Sequence, residues 1–235
     1  MSAPTAPTAP TQSTATLAAR NGVKILAFGP PGAGKTRMIK TLPNPYIFSA
    51  EGGLLSIRDS NLPYWEIKNI QDLRTAYQWI TLSAEARKFE SFALDSISEI
   101  AENCLTFWKG QSKDGRKNYG DMAEEMATIV KNFRKIQGPH IYFTAKQAMI
   151  YNEGGMPPVF AGILMPGKSL HQSIPFEFDE VLQLLPYKTP EGQLYSMLRT
   201  QGEHEFDIVK DRSGALAQHE APDLGAIITK IVKGK

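Results

Sequence analysis

The sequence holds a single cysteine, Cys104, among its 235 residues, so no disulfide within the chain can brace the fold. That excludes the cross-linked framework of small secreted domains. It has no apolar run approaching the roughly 18 to 20 residues that cross a bilayer, which excludes a helical membrane span. The opening residues lack the basic-then-apolar layout of a secretory signal; with the lone thiol, this leads to the expectation of a reducing cytoplasm. Charge of one sign is not in excess either. The 26 Lys+Arg and 24 Asp+Glu leave a net +2, too little to demand a polyanionic partner by itself. Nor is there an internal repeat, which argues against a solenoid. What is present, 42% hydrophobic and 21% charged residues, is the composition of a globular protein, and the length suits one large α/β core.

Residues 1–21 repeat Ala, Pro and Thr (Ala3-Pro-Thr-Ala-Pro-Thr-Ala-Pro10). They have little to bury, and their prolines favour extended, solvated backbone, so a disordered tail is expected before a core of residues 22–235. From Val23 the chain alternates strand and helix. Val23–Phe28, Tyr46–Ser49, Tyr64–Ile67, Phe92–Asp95 and His140–Thr144 read as short strands. Lys35–Leu42, Gln71–Lys88, Ile97–Trp108 and Asp121–Gln137 read as helices, with Lys109–Gly120 a polar connection. Asp179–Tyr187, Leu194–Thr200 and Glu205–Lys210 follow as strands joined by short turns, before a final helix near Leu224–Val232. The pattern predicts an α/β fold, a mostly parallel central sheet flanked by helices with a C-terminal antiparallel extension.

The segment Gly29-Pro30-Pro31-Gly32-Ala33-Gly34-Lys35-Thr36 lies between a strand and a helix. Glycines there let backbone N–H groups turn inward around phosphate oxygens, and the helix start adds the positive end of its dipole. Lys35 supplies a mobile cation for the β and γ phosphates, and the Thr36 hydroxyl can ligate Mg²⁺. ATP or a close relative, with Mg²⁺, is the ligand this pattern predicts. Asp95 ends an apolar strand, where a carboxylate can hold the same metal through water; it can equally cap the helix that follows. Glu51, after the second strand, is the candidate for orienting the attacking water, against the alternative of a solvated loop carboxylate. Gln147, just past another strand, can sense the γ-phosphate through its amide. Late in the chain, Lys210 and Arg212 stand two apart. In β conformation both point to one side and can meet one anion; otherwise they decorate a charged turn ending at Ser213-Gly214.

Together Gly29–Thr36, Glu51, Leu94-Asp95-Ser96 and Gln147 resemble the RecA-type core, and more closely the phage-encoded RecA-core single-strand annealing ATPases. That resemblance implies ATP at subunit interfaces of a homo-oligomer, ring or filament, with Lys210 and Arg212 reaching the nucleotide of the neighbouring subunit. It also implies single-stranded DNA as partner, held by two segments. The first, Lys109 to Tyr119, carries Lys109, Lys113, Arg116 and Lys117, with Tyr119 as a stacking face. The second, Tyr151 to Lys168, is expected to be a long loop containing Tyr151, Phe160 and Lys168. An ATPase that promotes annealing of complementary DNA strands in phage recombination is therefore the leading expectation, with a single-strand-binding protein as a further candidate partner and no membrane. A nucleotide-gated switch or helicase loader, or a small-molecule kinase, is the alternative. The lack of an arginine-rich lid weighs against a kinase.

Overall fold

The computed structural model describes residues 17–151, 158–167, 169–203 and 207–234. Its centre is a sheet in the order β10-β8-β7-β1-β5-β4-β2-β3, with β6 pairing β5 and β9 pairing β7. Strands β1 (Lys24–Gly29), β2 (Pro45–Ser49), β3 (Tyr64–Glu66), β4 (Ser91–Asp95) and β5 (His140–Tyr151) run parallel, joined by β7 (Glu180–Lys188) on the far side of β1. From β7 outward the sheet turns antiparallel through β8 (Leu194–Arg199), β9 (Lys210–Asp211) and β10 (His219–Glu220). The expected parallel core with an antiparallel extension is what forms.

Side chains on successive strand positions face opposite ways, and the core divides accordingly. Leu26, Phe28, Phe92, Leu94, Ile141 and Phe143 fill one face beneath α2 (Ile70–Leu82), α3 (Ile97–Gln111) and α4 (Gly115–Lys135). Ile25, Ala27, Ile47, Ala93 and Leu182 fill the other, against the 3₁₀ turn Thr36–Thr41 and α5 (Leu224–Lys233). Helix α4 buries Met122, Met126, Val130 and Phe133, a three-and-four spacing that makes one apolar stripe. Helix α2 starts on a capping box in which Asn69 and Asp72 bond each other's backbone, closing two otherwise orphaned donors.

Several expected boundaries move. Lys109–Gly120 is not a polar loop: α3 runs to Gln111 and α4 begins at Gly115. Asp114 caps α4 through the Arg116 and Lys117 N–H groups at 2.9 and 3.2 Å, and buried Asn118 donates to Ser112 O at 2.9 Å. These bonds hold the corner tight despite its polarity. The expected helix after the glycine loop is a 3₁₀ turn. The strand expected over Glu205–Lys210 is reduced, among the described residues, to Lys210–Asp211. Tyr151–Lys168 is not one long loop, because β5 continues to Tyr151 and β6 (Pro158–Ile163) pairs back on it. At the other end, a helix α1 occupies Leu17–Asn21, inside the stretch expected to be tail; residues 1–16 lie outside the described residues.

Candidate phosphate and metal site

Strand β1 delivers the glycine loop to the C-terminal edge of the sheet, between β5 and β7. At Gly29 an added Cβ would stand 2.3 Å from Leu184 O of β7, so the loop leaves the sheet at a point where only glycine fits. Gly32 and Gly34 then take φ of +75° and +107°, a region side chains resist. The loop is anchored from several sides: Ser196 Oγ of β8 donates to Ala33 O at 2.8 Å, and the Tyr142 hydroxyl of β5 donates to Lys35 O at 3.1 Å. Pro31 and Gly32 remain exposed. The Lys35 ammonium folds back on Gly29 O and Pro30 O at 2.8 and 3.1 Å. Burial lowers its pKa, opposed by the charges of Glu51 and Asp95.

Loop, β4 end and β5 end together wall a crevice of about 480 Å³, lined by Gly29, Lys35, Thr36, Glu51, Asp95, Lys146 and Gln147 among others. Asp95 is 2% exposed. Its carboxylate accepts from Thr36 Oγ1 at 2.7 Å on one oxygen and from Thr144 Oγ1 on the other. Burial raises its pKa, while the bonds from Thr144 and Thr36 and the nearby Lys35 pull the other way. A hydroxyl and a carboxylate, both hard oxygen donors already in contact, form the donor set that suits Mg²⁺ beside a polyphosphate. Thr36 and Asp95 would hold it.

Glu51 reaches the crevice by an unexpected route. Its strand β2 is not beside β1, since β5 and β4 intervene. The Ala50 and Glu51 N–H groups instead bond Asp95 O at 2.7 and 3.4 Å, folding the end of β2 over β4. Ser96 Oγ donates to Glu51 Oε1, and Lys146 Nζ lies 3.6 Å from it while pairing with Glu99 at 2.6 Å. The Glu99 bond holds the Lys146 pKa above its ordinary value. Thr144, Glu99 and Lys146 were missed in the sequence, where Ser96 figured only beside Asp95. Thr144 carried a signal, a polar residue ending an apolar strand one position over from the metal candidate.

The other candidates lie elsewhere. Lys210 pairs with Val181, which pairs with Leu26 of β1, three residues and roughly 10 Å along the strand from Gly29. Neither Lys210 nor Arg212 lines the phosphate crevice of its own chain. Arg212 pairs with Asp179 at 3.0 Å, and Lys210 stands over the Phe176 ring at 5.8 Å. Burial first, then the charge of Arg212, lowers the Lys210 pKa to about 8. Next to them Glu180 is fully buried; Oε1 accepts from Ser213 N at 3.3 Å, and Oε2 has no hydrogen-bond partner among the described residues.

Lys109, Lys113, Arg116 and Lys117 cluster at the α3–α4 corner, with Lys109 Nζ 5.9 Å from the ring centre of half-exposed Tyr119. Gly167, from the second candidate DNA segment, lies against that ring. Tyr151 and Phe160 sit on β5 and β6, and Lys168 lies outside the described residues. A family model described as an AAA domain matches residues 21–213. No curated protein matches the chain.

Proposed function

Since the chain belongs to the AAA domain family, nucleotide-binding P-loop NTPases, we propose that it is a Mg²⁺-dependent ATPase that binds single-stranded DNA as a homo-oligomer and promotes annealing of complementary strands. The observation that carries the ATPase is the convergence of Lys35, Thr36, Asp95 and Glu51 on one crevice. Lys35 leaves the loop carbonyls to meet the phosphates, and the N–H groups of Gly32, Gly34 and Lys35 bind their oxygens, while that of Ala33 stays on Pro30 O. Mg²⁺, when bound, neutralises charge on the β and γ phosphates. Glu51 orients the attacking water once it lets go of Ser96, and Lys146, 3.6 Å away, holds the Glu51 carboxylate in place. Gln147 donates to the γ-phosphate. Lys210 and Arg212 act on the nucleotide of an adjacent subunit, after Arg212 leaves Asp179.

Support for DNA comes from the four cations and Tyr119 at the α3–α4 corner and from the resemblance to phage annealing ATPases, which also supports a role in phage recombination in a host cytoplasm. Gel shifts with single-stranded oligonucleotides, with and without ATP, test it. Joint substitution of Lys113, Arg116 and Lys117 by Ala should reduce the slope of log affinity against log salt by about 2. An unchanged slope removes this corner from the interface. Absence of wild-type binding at low salt removes DNA altogether and leaves a nucleotide-gated switch.

A further inference from the structure

Gln147 is the crevice residue whose amide can point either way, oxygen first or nitrogen first, and only the second suits an anion. Its orientation is set from the far side. Gln147 Oε1 accepts from Gln183 Nε2 of β7 at 3.1 Å. Gln183 Oε1 in turn accepts from Arg199 Nε and Nη2 of β8 at 3.0 and 2.6 Å. Both partners are buried, Gln183 at 4% and Arg199 at 8% exposure. Arg199 Nη1 is bonded to Asp207 and lies 3.8 Å from Glu203, so the guanidinium is held in the fork geometry its carboxylate and amide partners impose.

A guanidinium carries five donors and no acceptor. The end of Gln183 that faces it must therefore be oxygen, which turns the Gln183 NH₂ to Gln147. That in turn fixes the Gln147 oxygen toward Gln183 and its NH₂ toward the crevice. Its hydrogen-bond partner among the described residues is the Met149 thioether at 3.7 Å, a weak acceptor. The row thus ends in a donor with no strong acceptor among the described residues, at the wall of a site built for anions.

We infer that Arg199 and Gln183 are positioning residues that lock Gln147 as a donor toward the terminal phosphate and so set the preference for triphosphate over diphosphate. The inference rests on the nucleotide site proposed above and adds to it the residues that choose between nucleotides. Arg199 acts without touching the nucleotide, by removing one of two amide orientations.

Gln183→Glu tests this directly, because it keeps an acceptor for Arg199, strengthening that pair, yet replaces the donor that faces Gln147. The Gln147 amide then turns its oxygen to the crevice. Calorimetric binding of ADP and of a non-hydrolysable ATP analogue should show the ratio of affinities falling by roughly tenfold or more, the loss of one hydrogen bond to a charged group, with ADP binding and melting temperature retained. Gln147→Leu, at the half-exposed end, should give the same fall and serves if the first variant does not fold. An unchanged ratio in a folded variant overturns the inference. Equal loss of ADP and analogue binding also overturns it, since that marks a structural role. Wild-type protein that binds both nucleotides equally overturns the relay alone; wild-type protein that binds neither overturns the nucleotide site with it.

Discussion

Glu180→Gln should stabilise the protein, and by an amount that grows with pH. Glu180 sits on β7 beside Asp211 and Asp179, fully buried, with one carboxyl oxygen lacking a partner among the described residues. Burial first, then the charge of Asp211, raises its pKa from 4.5 to about 9. Below pH 4.5 the folded and unfolded chains both hold the proton and the group is neutral in the balance. As pH rises through the window from 4.5 toward 9, the unfolded chain releases the proton while the folded chain keeps it, so unfolding gains. At pH 7.5 three units separate the two states, about 4 kcal/mol at 1.36 kcal/mol per unit. Glutamine keeps the shape and an oxygen for the Ser213 N–H but has no proton to release. The variant should match wild type near pH 4.5 and melt roughly 10 °C above it at pH 7.5. Urea or thermal unfolding of both proteins across that range measures the difference. A difference that stays constant with pH would refute the reasoning, because a repaired packing defect carries no proton.

Three further outcomes concern the crevice and its neighbours. Lys35→Ala should abolish nucleotide binding by calorimetry, whereas Glu51→Gln should keep binding and lose turnover by about 10² to 10⁴; normal hydrolysis in the latter would give the water to another residue. Mixing Arg212→Ala subunits with Glu51→Gln subunits should restore part of the ATPase activity if the guanidinium acts across an interface. With assembly intact and no recovery, Arg212 has only its observed role of tying Asp179.

The parts of this molecule that follow from local chemistry were legible in the sequence, and those that depend on distant pairing were not. Gly29–Thr36 announces its loop because its glycines are needed for backbone conformations that other residues resist. Asp95 announces itself as the polar end of a fully buried strand. Glu51 is marked by its place after the second strand, but its route to the crevice is not: the end of β2 folds over β4, and that depends on which carbonyl its N–H groups meet. The α3–α4 corner misled because polar, glycine-containing composition resembles a loop, while a three-residue turn capped by Asp114 needs no more than one carboxylate in place. β5 outran its apolar core, since Gln147 to Tyr151 are held by pairing with β6, and pairing leaves no mark on periodicity. The Arg199–Gln183–Gln147 row takes one residue from each of β8, β7 and β5, with β1 between the last two, and nothing in the linear order draws those residues together.

Strand β1 receives both of its neighbours late: Lys24 pairs with Ile141, and Ile25 with Glu180. During synthesis the phosphate loop is therefore made early and stays without walls for most of translation. A ribosome must pass residue 196 before Ser196 can tie Ala33. A nascent chain or a truncation product that ends before β5 carries the complete phosphate-binding motif without the Lys146 and Gln147 wall of the crevice. Nucleotide therefore has no walled crevice to favour until β5 has been made and docked beside β1.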